Sequence, residues 1–175
     1  MNPAKLLASL AAGCALVTFA WAADTTVKLS GVHLCCNACV KGVEKAVSPV
    51  KGATTVVDKD SSIVVVRATD RATAQQVIDA LVDAGYYGAS SDPTLKPKDR
   101  SVGVQGKVQK LTVAGVHLCC GKCVKAVNDA VTKVKGVKGT TAEKNAAAFD
   151  VTGDFQARDV LVALQKAGLS GQAKQ

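Results

Sequence analysis

The sequence predicts an α+β chain in which one βαββαβ unit is written twice in tandem. Three observations carry that prediction. First, Gly31-Val32-His33-Leu34-Cys35-Cys36, with Cys39-Val40-Lys41 after it, returns 84 positions later as Gly115-Val116-His117-Leu118-Cys119-Cys120 with Cys123-Val124-Lys125. Second, each copy runs through the same succession of apolar periods, of two residues for strands and of three to four for helices. Third, residues 90–106 carry Pro93, Pro97, Lys96, Lys98, Asp99 and Arg100 with almost no apolar pattern, and read as a linker. Two copies are too few for a stacked solenoid, so two small domains are expected.

The elements follow in order. Thr25–Ser30, with Val27 and Leu29 apolar, alternates as a half-buried strand, and 108–114 does so through Leu111 and Val113. Over 39–50 the apolar positions are Val40, Val43, Val47 and Val50; in the second copy they are Val124, Val127, Val131 and Val134. Steps of three and four place them on one helix face. Gly52 and Gly136 close these helices. A hairpin is expected from 53–57 and 63–66 around Asp58-Lys59-Asp60-Ser61. Asp70 is the expected N-cap of a second helix whose face is Val77, Ile78, Leu81 and Val82, ending at Gly85. Asp154 and Gly168 are expected to do the same in the second copy, where Val160, Leu161 and Leu164 return at an offset of 83. Short strands over 86–89 and 169–173 complete the ferredoxin-like split βαβ order. Thr140 to Ala148 is polar and alanine-rich, so the second copy has the weaker hairpin and is expected to be the less stable.

Composition narrows the function. At 48% hydrophobic and 21% charged residues, the chain is neither a disordered tail nor a multi-pass membrane protein. Aromatics at 3% argue against a nucleic-acid reader built on stacking platforms. The net charge of +8 comes from scattered lysines, a solvated basic surface. Residues 1–22 have the pattern of a secretory signal: Lys5, an apolar stretch over 6–20, and small residues at −3 and −1 in Ala20-Trp21-Ala22. Ala11-Ala12-Gly13-Cys14 loosely resembles a lipobox, but the apolar stretch before Cys14 is short and the one after it long. The expected organisation is therefore a signal over 1–22, a first domain over 23–89, a linker over 90–106 and a second domain over 107–175. The mature chain is expected to be exported to the periplasm or cell envelope, without a stable membrane span.

The chain has seven cysteines against two histidines, and the repeated segments hold six of the seven. Cys36 and Cys39, and likewise Cys120 and Cys123, fall where a loop enters a helix. Two thiols three apart at a helix N-terminus converge on one spot, and the free N–H groups and helix dipole favour thiolate, the metal-binding form. A structural disulfide is the plainer reading in an oxidising compartment. Cys35 and Cys119 precede the pairs, and alternation along an extended loop turns them away from the ion; they are either additional ligands or buried thiols. His33 and His117 read as loop braces or additional ligands. Lys41 and Lys125 belong on a solvated helix face, with a lowering of the thiol pKa as the alternative.

These motifs resemble the heavy-metal-associated domain family, which includes copper chaperones, N-terminal domains of copper-transporting ATPases and the periplasmic mercury-binding protein. The matching residues are the two Cys-x-x-Cys pairs, Gly52-Ala53 and Gly136-Val137 after the first helix, and Ala84-Gly85-Tyr86 before the last strand. The resemblance implies that Cys36, Cys39, Cys120 and Cys123 bind metal and that Tyr86 lies near the loop, with Leu169 in its place in the second copy. It also implies a carrier without catalytic turnover: Cu(I) first, Zn(II) or Hg(II) as alternatives, and a metal-transporting ATPase or another thiol-bearing metal protein as partner. Two thiolates suit a soft ion, whereas structural zinc takes four ligands. This sequence departs from the family in lacking the usual Met and in carrying the third thiol, Cys35 or Cys119. The rival function is thiol–disulfide exchange in the cell envelope. Against it, no Trp precedes either pair, and two of the three prolines after residue 22 lie in the linker. No HExxH or GxSxG motif supports hydrolysis.

Overall fold

The computed structural model describes residues 24–174; the expected export segment 1–22, with Lys5 and Cys14, lies outside them. The first unit runs β1 (Thr25–Ser30), α1 (Asn37–Val47), β2 (Ala53–Asp58), β3 (Ile63–Ala68), α2 (Arg71–Asp83) and β4 (Ala89–Ser90). The second repeats it with β5 (Lys107–Ala114), α3 (Gly121–Val131), β6 (Val137–Thr140), β7 (Ala148–Gln156), α4 (Ala157–Lys166) and β8 (Gln172–Lys174). The antiparallel sheets have the orders β2-β3-β1-β4 and β6-β7-β5-β8, the ferredoxin-like arrangement. No helix among the described residues is long and apolar enough to cross a membrane.

The strand register follows from the period-2 pattern. Val27 pairs with Val66 and Leu29 with Val64, which puts all four on the buried face. Cys39, Val43 and Val47 of α1 pack onto that face, and Cys123, Val127 and Val131 of α3 do so in the second unit. Asp70 caps α2 as expected, its Oδ1 accepting from the Thr73 N–H at 2.7 Å. Asp154 does not cap α4. Strand β7 runs on to Gln156, and Asp154 meets Lys107 Nζ at 2.5 Å and Gln109 on the strand edge instead. Gln156 takes the N-cap place without a side-chain bond, and the Ala157 N–H at the start of α4 donates to Gly106 O at 3.1 Å. Strand β6 has four residues against six in β2, in line with the polar stretch beside it.

The two units dock through their matching ends. Tyr86 and Leu169 form an antiparallel bridge, flanked by Tyr87 N–H to Gly168 O at 3.0 Å and Ser170 N–H to Gly85 O at 2.9 Å. Both glycines have positive φ, and a Cβ on Gly85 would lie 2.3 Å from His117 N; on Gly168 it would lie 2.3 Å from Gly31 O. The absence of a side chain at each position lets the other unit's loop come in against it. The linker is strapped down: Leu95 and Ser101 are buried, Asp92 pairs with Arg71, Arg100 with Asp83, and Asp99 accepts from Gln165 of α4. Its contacts reach both units, so it does not behave as a free coil.

Candidate metal centre

In each unit the loop from the first strand to the first helix leaves a glycine of φ +74°, Gly31 or Gly115. Val32 and Leu34 then point into their own core, as do Val116 and Leu118. The alternating residues, His33 with Cys35 and His117 with Cys119, face the opposite unit. Cys36 is the N-cap residue of α1, with extended backbone at φ −162°, and Cys120 holds the same place on α3 at φ −154°. Neither makes a side-chain capping bond, which leaves both sulfurs available. Cys39 and Cys123 sit one helical turn on, fully buried; the other four cysteines are half-buried.

Because the units are docked loop to loop, all six thiols meet. Within the first unit Cys39 Sγ lies 3.8 Å from Cys36 and 3.7 Å from Cys35. Within the second, Cys123 lies 3.7 Å from both Cys120 and Cys119. The shortest approaches cross between units: Cys35 to Cys120 at 3.4 Å, Cys35 to Cys123 at 3.5 Å and Cys39 to Cys119 at 3.6 Å. Cys36 reaches Cys119 at 3.7 Å and Cys120 at 3.9 Å, and Cys39 reaches Cys123 at 3.9 Å. All six are free thiols.

The expectation that Cys35 turns away from its own pair is corrected by this geometry. Alternation does turn its side chain out of its own core, but outward here is toward the second unit, where α3 brings its sulfurs. The histidines share the site. A ring nitrogen of His33 lies within 4.8 Å of the Cys35 and Cys123 sulfurs. His33 and His117 each bury an Nε2 that has no hydrogen-bond partner, so neither braces its loop through that atom. Backbone bonds tie the first loop down, from Val32 N–H to Ser62 O and from His33 N–H to Gly168 O, each at 3.1 Å.

Tyr86 is buried, donates its hydroxyl to Cys39 O at 2.9 Å, and stacks on His117 with ring centres 4.6 Å apart. It therefore braces the turn that carries Cys39 and packs against the other loop. Lys41 and Lys125 lie exposed, Lys125 pairing along its helix with Asp129 at 2.7 Å; neither is part of the centre. Sequence reasoning missed Gly42, where a Cβ would lie 2.1 Å from Tyr86 Oη. The signal was present in the repeat: where Leu169 replaces Tyr86, Ala126 replaces Gly42.

The electrostatics favour partial ionisation. Hydrogen bonding from the Cys123 thiol holds Cys39 well below the ordinary thiol range against the opposing effect of burial, with His117 adding to the thiolate's stability. Cys123 is correspondingly pushed up by its bond to Cys39 and by burial, so the pair shares one proton. Cys120 is lowered to about 6, first by the Cys123 backbone N–H at the start of α3. Burial pushes Cys35 up to about 12 and raises Cys119 as well. His33 is lowered by burial, which keeps its imidazole neutral and able to donate a lone pair. Shallow clefts open beside Cys35, next to Lys59 and Lys122, and beside Cys119, next to Asp83 and Asn145. Soft donors in overlapping groups of three, reached through these clefts, suit a soft cation.

No family model matches the chain. Among curated proteins it is 43% identical over 84 residues to the mercuric transport protein periplasmic component of Pseudomonas aeruginosa, covering 47% of this chain and 91% of that one. The protein of that name from Serratia marcescens matches at the same identity and coverage. Among solved structures, a copper binding domain from HMA7, a P-type ATPase, aligns at 21% identity and a TM-score of 0.36, over 39% of this chain and 96% of that one. With nine-tenths of a curated relative matched at that identity, and with a cysteine pair opening the first helix of each βαββαβ unit, the chain belongs to the heavy-metal-associated domain family.

Proposed function

We propose that the chain is an exported carrier that captures, buffers and hands over soft metal ions through its cysteines, with Cu(I) as first cargo. The observation that carries this reading is the meeting of six free thiols from two loops, with sulfur separations of 3.4 to 3.9 Å. A metal–sulfur bond of about 2.3 Å in a planar three-coordinate site sets its sulfurs about 4.0 Å apart, and a linear two-coordinate site sets them about 4.6 Å apart. The observed separations lie far from the linear case and bracket the about 3.8 Å of a tetrahedral site, so spacing alone does not separate Cu(I) from Zn(II); the all-sulfur donor set is what favours the softer ion. Cys36, Cys39, Cys120 and Cys123 are the primary ligands on this reading, with Cys35 and Cys119 completing the set and His33 and His117 in reserve. Hg(II) is the second reading, favoured by the relatives described as periplasmic mercuric transport components; Zn(II) is third.

Transfer proceeds by ligand exchange. A thiolate of the partner, a metal-transporting ATPase or another thiol-bearing metal protein, enters at a partly exposed sulfur and displaces the cysteines one at a time. No electron transfer and no bond to carbon is involved, so no turnover chemistry is required of the chain. The test is retention of metal by the reduced chain against a millimolar glutathione competitor, using Cu(I), Hg(II) and Zn(II) in separate anaerobic runs. Cu(I) retained best supports the reading, and Hg(II) retained best moves the cargo to the second. Failure to retain any of the three overturns it.

A further inference from the structure

The six sulfurs have a regular arrangement that two separate cysteine pairs do not require. Ten sulfur pairs make contacts of 3.4 to 3.9 Å. Two more, Cys35 with Cys36 and Cys119 with Cys120, lie within 4.8 Å. These twelve pairs are the edges of an octahedron, and the three remaining pairs are its opposite corners: Cys35 and Cys119, Cys36 and Cys123, Cys39 and Cys120.

An octahedron has four alternate triangular faces that touch only at corners. Three of them are Cys35/Cys36/Cys120, Cys36/Cys39/Cys119 and Cys119/Cys120/Cys123, each closing within 4.8 Å. The fourth is Cys35/Cys39/Cys123, with edges of 3.7, 3.5 and 3.9 Å, and the ring nitrogen of His33 lies against its Cys35–Cys123 edge. Every sulfur belongs to two of these four faces.

We propose that the docked loops form one cage for a cluster of four Cu(I) ions, each bound by three thiolates, each thiolate bridging two ions. This rests on the soft-metal reading above and names its nuclearity and its class of ion. Loading leaves all six sulfurs as thiolates, releases whatever thiol protons remain with no change of oxidation state, and gives four monovalent cations against six thiolates, a net charge of 2− on the cluster. The surroundings suit a small anion: both α1 and α3 present their N-termini to the cage. Divalent ions on the same four faces would turn the net charge positive against those helix ends, so the cage selects monovalent soft ions. The Gly85 and Gly168 contacts that bring the loops together are then part of the metal site.

The test is an anaerobic titration of the reduced chain with Cu(I), read by native mass spectrometry and copper X-ray absorption. The expected result is a passage from the metal-free chain to a four-copper form with few intermediates, together with a short copper–copper scattering vector. The double variant Cys35→Ser/Cys119→Ser takes one sulfur from every one of the four faces but leaves both Cys-x-x-Cys pairs. It should fall to two coppers or fewer and lose the copper–copper vector. Two independent coppers in the unaltered chain would overturn the cluster and leave the carrier reading standing, as would four coppers retained by the double variant. No copper retained by the unaltered chain would overturn the cluster and Cu(I) as cargo, while the carrier reading would fall only if Hg(II) and Zn(II) were not retained either.

Discussion

Replacing Gly42 by Ala should change sign in its effect on stability according to what stands at position 86. Gly42 lies in the middle of α1, where Ala is favoured over Gly by about 1 kcal/mol. Against that gain, the new Cβ would lie 2.1 Å from Tyr86 Oη and 2.9 Å from His117 Cε1. Tyr86 cannot retreat, because it is 1% exposed, hydrogen-bonded to Cys39 O and stacked on His117. Overpacking of this kind costs about 1–3 kcal/mol, so Gly42→Ala should be net destabilising by up to about 2 kcal/mol. Tyr86→Leu alone should cost about 2–3 kcal/mol through the lost hydrogen bond, stacking and ring volume. Once leucine stands there, the first obstacle is gone and His117 is released from its stack. Gly42→Ala should then stabilise by up to about 1 kcal/mol, its helix propensity alone. The double variant restores the pairing of Ala126 with Leu169 that the second unit already carries. Urea unfolding of the reduced, metal-free chain and its three variants closes the cycle, with an expected coupling of about 1–3 kcal/mol. Additive effects, with Gly42→Ala equally destabilising whether or not Tyr86→Leu is present, would refute the reasoning.

Three further outcomes follow from the packing. Gly168→Ala places a Cβ 2.5 Å from His33 N at a φ of +79°; it should undock the units, seen as a larger radius of gyration in solution scattering, and unchanged dimensions would show that the interface tolerates it. Hydrogen bonds from Thr73 hold the Asp70 carboxyl below its usual range, so its contribution is complete above the unfolded value near pH 4 and is lost as pH falls through the folded one. Asp70→Ala should accordingly lower the thermal midpoint at pH 7, and the difference from the unaltered chain should shrink as pH falls below about 4. Trypsin should cut slowly after Lys98 despite its exposure, because Leu95 is buried and Arg100 is paired with Asp83. Leu95→Asp should speed that cleavage, and equal rates would place the linker free of both units.

Much of each unit was legible because its signals are local. The strand Thr25–Ser30 has in the structure the bounds its alternation predicts, and Asp70 caps its helix because nothing competes for the Thr73 N–H. Asp154 was misread because β7 continues through Gly153, whose φ of +143° no pattern of apolar residues reports. The cysteine pairs were legible from spacing alone, since N-cap and third helical position always face one another. What spacing cannot convey is the docking. It depends on two glycines, Gly85 and Gly168, whose role as helix terminators was already sufficient to explain them. Their second role, admitting the opposite loop, belongs to residues far away along the chain, such as His117 for Gly85 and Gly31 for Gly168. The direction of Cys35 follows from the docking, so it was out of reach for the same reason.

Docking also bears on how a carrier can hold its cargo tightly and still release it. On the proposed reading, the most buried sulfurs, Cys39 and Cys123, are both 0% exposed and belong to opposite units. A partner cannot reach either while the loops are together, whereas Cys35 and Cys119 border open clefts. Exchange therefore begins at the thiols in which this sequence departs from its family and ends at the pairs that it shares with it. The units are held at the bridge by a handful of backbone hydrogen bonds, each contributing about 1 kcal/mol, to which the proposed metal bonds would add until exchange removes them. Each thiolate handed to the partner thus weakens what keeps the loops closed. Bound metal stabilises the docked form in proportion to its binding energy, so the last ions leave from a chain already inclined to open. Retention and release are in this way set by one interface, without a separate gate.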